Sequence, residues 1–107
     1  MSAIVEVTTT TETAEQAQTI AREIVDQRLA ACVQITGPIT SVYRWQGKIC
    51  ESQEHKCTCK TTSSRVQTLV KTIQKMHPYD LPEILATEID YSSQEYRDWL
   101  NDQIESQ

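Results

Sequence analysis

Residues 39–50 read ITSVYRWQGKIC and predict a β-hairpin, because an alternating apolar segment turns back on itself at Gln46-Gly47. Glycine readily takes the positive φ that a two-residue hairpin turn requires. Upstream, Gly37-Pro38 breaks or bends the first strand, since proline cannot donate a ladder hydrogen bond. The hairpin is long for a chain of 107 residues. Its predicted strand segments are 31–35, 39–45, 48–50 and 54–61.

Apolar periodicity predicts the elements on either side of the hairpin. Residues 3–9 alternate as a strand, helical spacing follows over residues 14–29 and 66–76, and residues 83–89 form a fourth strand. A short C-terminal helix carries the apolar residues Tyr96, Trp99, Leu100 and Ile104. Each helix is predicted to begin at a capping box, and the three boxes are Thr13–Gln16, Ser64–Gln67 and Ser92–Glu95.

This order of elements predicts a single α+β domain over residues 1–107. Two split βαβ units give a ferredoxin-like βαββαβ antiparallel sheet, with both helices on one face, a long hairpin between the second and third strands and a short C-terminal helix. The other sheet face and the protruding hairpin are left uncovered, which is a liability for a single chain. We therefore expect a homotrimer, and we expect Glu6 and Lys56 to be neighbours on the uncovered face.

Composition and net charge argue against a nucleic-acid-binding protein and against a membrane-spanning one. The net charge is −5, with 15 acidic and 10 basic residues and no basic run, so the clustered positive face of a nucleic-acid binder is not expected. The sequence has neither a signal-peptide pattern nor the roughly 20 apolar residues of a membrane span. We expect a cytoplasmic protein whose four cysteines are reduced thiols.

Cys57 and Cys59 lie two residues apart on a predicted strand, so their side chains share a face with His55. Thiolate and imidazole are good ligands for copper or zinc. The opposite face, with Lys56, Thr58 and Lys60, is polar, which would place the thiols under the helices as small apolar groups. Packing is the favoured interpretation, and metal ligation is the alternative.

Four motifs in order resemble the CutA divalent-cation-tolerance proteins, and the resemblance covers nearly the whole chain. The motifs are LAACV at 29–33, YRWQGK at 43–48, KTT at 60–62 and HPYDLPE at 77–83. The resemblance implies a trimer of ferredoxin-like protomers, architecturally related to the PII signalling proteins. It also implies a role in tolerance of copper or another divalent cation.

The resemblance implies copper ligands in some bacterial relatives, namely a cysteine at the end of the first strand and a His-His pair before Pro-Tyr. This chain departs from that pattern, with Thr9 or its neighbours at the strand end and Met76-His77 in place of the pair. His77 and Cys32, which matches the family's motif, are the candidate metal ligands here. A single imidazole is a poor metal site, since specific sites need three or four donors, so no cofactor is required.

A second group of residues at strand ends and in the turn after the second helix predicts a small-ligand cleft where subunits meet. It comprises Tyr43, Trp45, Lys60, His77, Tyr79 and Glu83. The alternative is structural, with the aromatic rings as interface anchors and Lys60 and Glu83 as an intersubunit ion pair. The chain has no nucleophile–base arrangement and no glycine-rich loop, which predicts a non-enzymatic protein.

We therefore predict a trimeric sensor or binding module for a small metabolite or anion. A protein that binds copper or another divalent metal directly is the alternative, and an interaction scaffold is a third hypothesis.

Overall fold

A computed structural model describes residues 3–105. Its helices and strands are β1 (Ile4–Thr11), α1 (Ala14–Asp26), β2 (Cys32–Trp45), β3 (Lys48–Thr62), α2 (Val66–Met76), β4 (Ile84–Glu88) and α3 (Gln94–Glu105), with a 3₁₀ turn at Ser63–Arg65. The four strands form one antiparallel sheet in the order β2-β3-β1-β4. That order is the predicted ferredoxin-like arrangement, with α3 as the predicted C-terminal helix.

Helices α1 and α2 cover one face of the sheet and form the main core with it. Alternation along β1 sends Val5 and Val7 toward the helices, where both are buried. Apolar residues at helical spacing on α1 and α2 pack on this face of the sheet. The buried helix residues are Ala17, Ile20, Ala21, Ile24, Leu69 and Ile73. Cys57 and Cys59 lie on the same face, fully buried, as the packing interpretation predicted.

The second sheet face is polar and carries an ion pair. Glu6 lies directly opposite Lys60 across β1 and β3, and Lys60 Nζ is 3.3 Å from Glu6 Oε2. The expectation that Glu6 neighbours Lys56 is wrong, because the strand register places Lys56 opposite Thr10. Lys60 therefore forms an ion pair within its own chain.

A β-bulge at Gly37-Pro38 changes which β2 side chains share a face with β3. Before it, Thr36 pairs with Lys56, and after it, Ile39 pairs with Glu54. From one pair to the next, β2 advances three residues while β3 advances two, so β2 contains one extra residue. Beyond the bulge, β2 side chains therefore point to the opposite face from the one that unbroken alternation would give them. The odd-numbered residues Tyr43 and Trp45 consequently lie on the same face as Glu54 and the second sheet face.

The hairpin turn is a two-residue type I′ turn. Gln46 and Gly47 both have positive φ, 52° and 80°, which is the backbone that matches the twist of the two flanking strands. The predicted turn is therefore confirmed. Strands β2 and β3 carry the tip well away from the helices, and the chain measures 45 Å along its longest axis against 26 and 22 Å across.

One of the three predicted capping boxes is confirmed. Thr13 Oγ1 accepts from Gln16 N–H at 3.1 Å, and Gln16 Oε1 accepts from the Thr13 N–H at 3.2 Å. The box at Ser64 is wrong, because the 3₁₀ turn precedes α2 and Ser64 bonds the hydroxyl of Thr62 instead. The box at Ser92 is wrong by one residue, since α3 starts at Gln94 and Ser93 Oγ accepts from the Tyr96 N–H at 3.3 Å.

Helix α3 closes one end of the second sheet face. Leu100 and Ile104 pack against Ile4, which alternates with Glu6 and so belongs to that face. Two arginines tie the end of α3 to the body, as Arg28 Nη1 donates to the Gln103 carbonyl at 2.7 Å and Arg65 Nη2 to the Ile104 carbonyl at 3.0 Å. None of the helices within residues 3–105 is long and apolar enough to cross a membrane.

Candidate functional site

The β2 side of the hairpin and the segment after α2 flank an open cleft of about 750 Å³, here called the hairpin cleft. Strands β1, β2 and β3 provide its floor and one wall, and the segment between α2 and β4 provides the other. The lining residues are Thr10, Ser41, Val42, Tyr43, Trp45, Glu54, Tyr79, Asp80, Leu81, Pro82 and Glu83. A volume of this size accommodates a small molecule.

Glu54 and Tyr79 join the two walls of the cleft. Tyr79 Oη donates to Glu54 Oε2 at 2.9 Å, and Glu54 is only 9% exposed. Burial, the bond to Glu54 and then the negative charges of Glu54 and Glu12 raise the pKa of Tyr79 well above its usual range. The phenol therefore stays protonated and acts as a hydrogen-bond donor.

His77 holds the start of the 77–83 segment in place. Its Nε2 lies 2.8 Å from the Thr10 carbonyl oxygen, and its Nδ1 accepts from the Tyr79 N–H at 3.1 Å. These partners assign the neutral tautomer with the proton on Nε2, because a carbonyl accepts and an amide donates. The His77 and Tyr79 rings also pack with centroids 4.7 Å apart, so His77 fixes the position of Tyr79.

Tyr43 and Trp45 supply the aromatic wall of the hairpin cleft. Both side chains are nearly half exposed, and Ser52 Oγ lies 3.3 Å from Tyr43 Oη across the hairpin. Their position depends on the bulge, since an unbroken alternation would turn Val42 and Arg44 toward Glu54 instead. The bulge therefore determines the chemistry of this wall.

The structure brings four of the six predicted cleft residues together in one chain. Tyr43, Trp45, Tyr79 and Glu83 line the hairpin cleft, and His77 lies behind Tyr79. Lys60 is elsewhere, paired with Glu6 and six residues along β3 from Glu54, a separation of about 20 Å at 3.3 Å per residue. The cleft of one protomer thus contains acidic and aromatic groups without that cation.

The candidate metal ligands are separated from one another. Cys32 is half-buried opposite Lys60 in the register, whereas His77 contacts Thr10, about 13 Å farther along the sheet at 3.3 Å per residue. Burial raises the pKa of Cys57 to about 11, and burial followed by the neighbouring Cys57 and Cys32 raises that of Cys59 to about 12. Within residues 3–105 no group of three or more His, Cys, Asp or Glu side chains is arranged to hold a metal ion.

Glu54 is the central residue of the site that sequence reasoning missed. It follows Ser52 and precedes Lys56 on a polar face, where nothing in the pattern distinguishes it from a solvent-exposed glutamate. Its hydrogen-bond partner, Tyr79, is 25 residues away in sequence. Asp80 belongs to the quoted HPYDLPE motif, and that motif was the available signal for its presence in the cleft.

Comparison with known proteins identifies the family. The family model described as CutA1 divalent ion tolerance protein matches residues 5–103. The divalent-cation tolerance protein CutA of Thermus thermophilus is 46% identical over 88 residues, which is 82% of this chain and 85% of that protein. Protein CutA of mouse is 40% identical over 90 residues, which is 84% of this chain but only 51% of the mouse protein.

Solved structures agree with this assignment. The crystal structure of CutA from Xylella fastidiosa superposes with a TM-score of 0.94 at 36% sequence identity, covering 97% of this chain and 100% of that one. The same fold and more than one-third identity extend over almost all of the chain. This chain therefore belongs to the CutA1 divalent ion tolerance protein family.

Proposed function

We propose that this protein is a non-enzymatic homotrimer that binds a small molecule in the hairpin cleft, and that this binding is its contribution to divalent-cation tolerance. The observation that carries the proposal is the buried Glu54–Tyr79 pair inside a cleft of about 750 Å³. A buried carboxylate is costly unless it is partnered, and the cleft has room for a ligand beside it.

The exposed surface of a single chain supports the trimer. Val42 is 64% exposed and Ile49 72% exposed on the hairpin, and Leu85 is 60% exposed on the edge strand β4. Burying such side chains between subunits removes apolar area from water. We expect light scattering to give three times the chain mass of 12.2 kDa, whereas a single chain that is stable on dilution would contradict the trimer.

The groups around the cleft favour binding over catalysis. His77 uses both ring nitrogens to hold backbone groups, and the raised pKa of Tyr79 keeps its phenol protonated. The thiols of Cys57 and Cys59 are buried under the helices, and thiolate is the reactive form of cysteine. Four free cysteines also suit a cytoplasmic, reducing location.

Calorimetric titration tests the binding role. The panel contains nucleotides, carboxylates, bicarbonate, amines, Cu(II) and Zn(II), with Trp45→Ala as the cleft variant and Trp99→Ala, a tryptophan of similar exposure on α3, as the matched control. We expect a small molecule whose binding is lost in Trp45→Ala and kept in Trp99→Ala. Stoichiometric metal binding that depends on His77 or Cys32, with no small molecule bound, would favour the metal-binding alternative.

A further inference from the structure

We infer that the ligand of the hairpin cleft is a small organic cation carrying an ammonium group. This inference deepens the proposed function and rests on it. It narrows the expectation of a small metabolite or anion, because Lys60, the one lysine predicted for the cleft, is paired with Glu6 elsewhere on the sheet.

The charged side chains that line the cleft are all acidic. Glu54, Asp80 and Glu83 are lining residues, and no Lys, Arg or His of the described chain is among them. Lys60 is held by Glu6 on the other part of the sheet. An anion entering this cleft would face three carboxylates, whereas a cation would be attracted to them.

Glu54 lacks a positively charged partner. It is nine-tenths buried and accepts from the neutral phenol of Tyr79, and among residues 3–105 no basic side chain forms an ion pair with it. A buried carboxylate beside a cavity, with a neutral partner only, is the environment that a ligand cation would complete. The cavity lies directly against this carboxylate.

Aromatic rings distinguish an organic cation from a metal ion. Tyr79 bonds Glu54 directly, Tyr43 lines the same cleft, and Trp45 lies at its outer end beside the hairpin turn. The faces of such rings attract ammonium groups through cation–π interactions. The carboxylates are not arranged as a metal site, since the described residues contain no cluster of three donors. The combination of carboxylate and rings therefore matches an alkylammonium ion.

Three probes of equal length and different charge test this inference. They are n-butylammonium, 1-butanol and butyrate, titrated by NMR into the whole protein in its native assembly. We expect n-butylammonium to bind at least tenfold more tightly than the other two, with an affinity that falls as salt concentration rises. Butyrate binding as tightly as n-butylammonium, or all three probes failing to bind, would overturn the inference.

Two matched variants test whether the negative charge of Glu54 binds the ammonium group. Glu54→Gln keeps the shape of the side chain and an acceptor for Tyr79, and we expect it to weaken n-butylammonium binding about tenfold, as loss of a charge-assisted contact does. Glu51→Gln makes the same change in net charge on an exposed hairpin residue, and we expect no effect. Equal effects of the two variants would refute a role for Glu54.

The proposed function and this inference can fail separately. If a nucleotide or carboxylate of the larger panel binds in the cleft and n-butylammonium does not, the binding role stands and the cationic ligand is wrong. If nothing in either set binds, because side chains of a neighbouring protomer fill the cleft, both are wrong.

Discussion

Gly37→Ala should destabilise the protein through one contact at the bulge. A Cβ at Gly37 would lie 2.5 Å from Cδ2 and 2.8 Å from Cγ of the His55 ring, and 3.1 Å from the Glu54 carbonyl oxygen. These ring atoms are near the root of the His55 side chain, so relief of the clash requires either a change of the His55 χ1 rotamer or a shift of β3. The residue next to His55 is Glu54, and the strain would therefore fall on the floor of the hairpin cleft.

The expected loss of unfolding free energy follows from two opposing effects. Overpacking of one extra methyl group costs about 1–3 kcal/mol, and the reduced freedom of alanine in the unfolded chain returns about 0.4–1 kcal/mol. The net loss should be roughly 1.3 kcal/mol, within a range of about 0–2.6 kcal/mol. For a domain of this size, each kcal/mol lowers Tm by roughly 4–8 °C.

A double-mutant cycle with His55→Ala isolates this contact. The four proteins are the wild type, Gly37→Ala, His55→Ala and the double variant, measured by thermal unfolding at one protomer concentration because Tm of an oligomer depends on concentration. In the His55→Ala background, Gly37→Ala should be neutral or slightly stabilising. If the effects of the two substitutions simply add, the contact carries no energy and the reasoning about the bulge is refuted.

Three further predictions concern the sheet and its helices. Thr13→Ala should lower stability by about 1 kcal/mol through loss of the α1 cap, measured by urea unfolding; an unchanged midpoint would contradict the capping role. Burial raises the pKa values of Cys57 and Cys59 above the ordinary value of 9.0, so the stability that these thiols contribute is complete below pH 9 and is lost as pH rises through their raised pKa values. Stability measured by urea unfolding should therefore fall less over that range in a variant with both thiols replaced by alanine, and an equal fall would contradict the prediction. Glu6→Ala should lower Tm more than Glu23→Ala, because Glu6 pairs with Lys60 and Glu23 is exposed on α1; equal Tm values would contradict it.

The sequence was sufficient for the elements and their order because each carries a local signal. Gln46-Gly47 marks the hairpin turn, Thr13 with Gln16 marks the start of α1, and Pro78 follows the end of α2. Alternation along β1 also gave the correct faces for Val7 and Glu6. These signals act within a few residues, which is the range over which backbone preferences are readable.

The residue pairing between strands could not be predicted from such local signals. Gly37-Pro38 indicated an interruption of β2, but only the pairing of Ile39 with Glu54 reveals that one extra residue is inserted. The partner of Glu6 depends equally on register, which is why Lys56 was expected where Lys60 lies. Glu54 became a site residue through its contact with Tyr79, and a contact between distant segments leaves no local pattern in either one.

Fluorescence of Trp45 tests most directly whether the hairpin cleft is the binding site. Replacing Trp99 by phenylalanine leaves Trp45 as the one tryptophan of a chain that has two, and the variant is titrated with the tightest binder from the panel. We predict a saturable change in Trp45 emission with the same Kd as calorimetry, and its loss in the Glu54→Gln background if the binder is a cation. Binding measured by calorimetry without any change at Trp45 would place the ligand elsewhere and contradict the account.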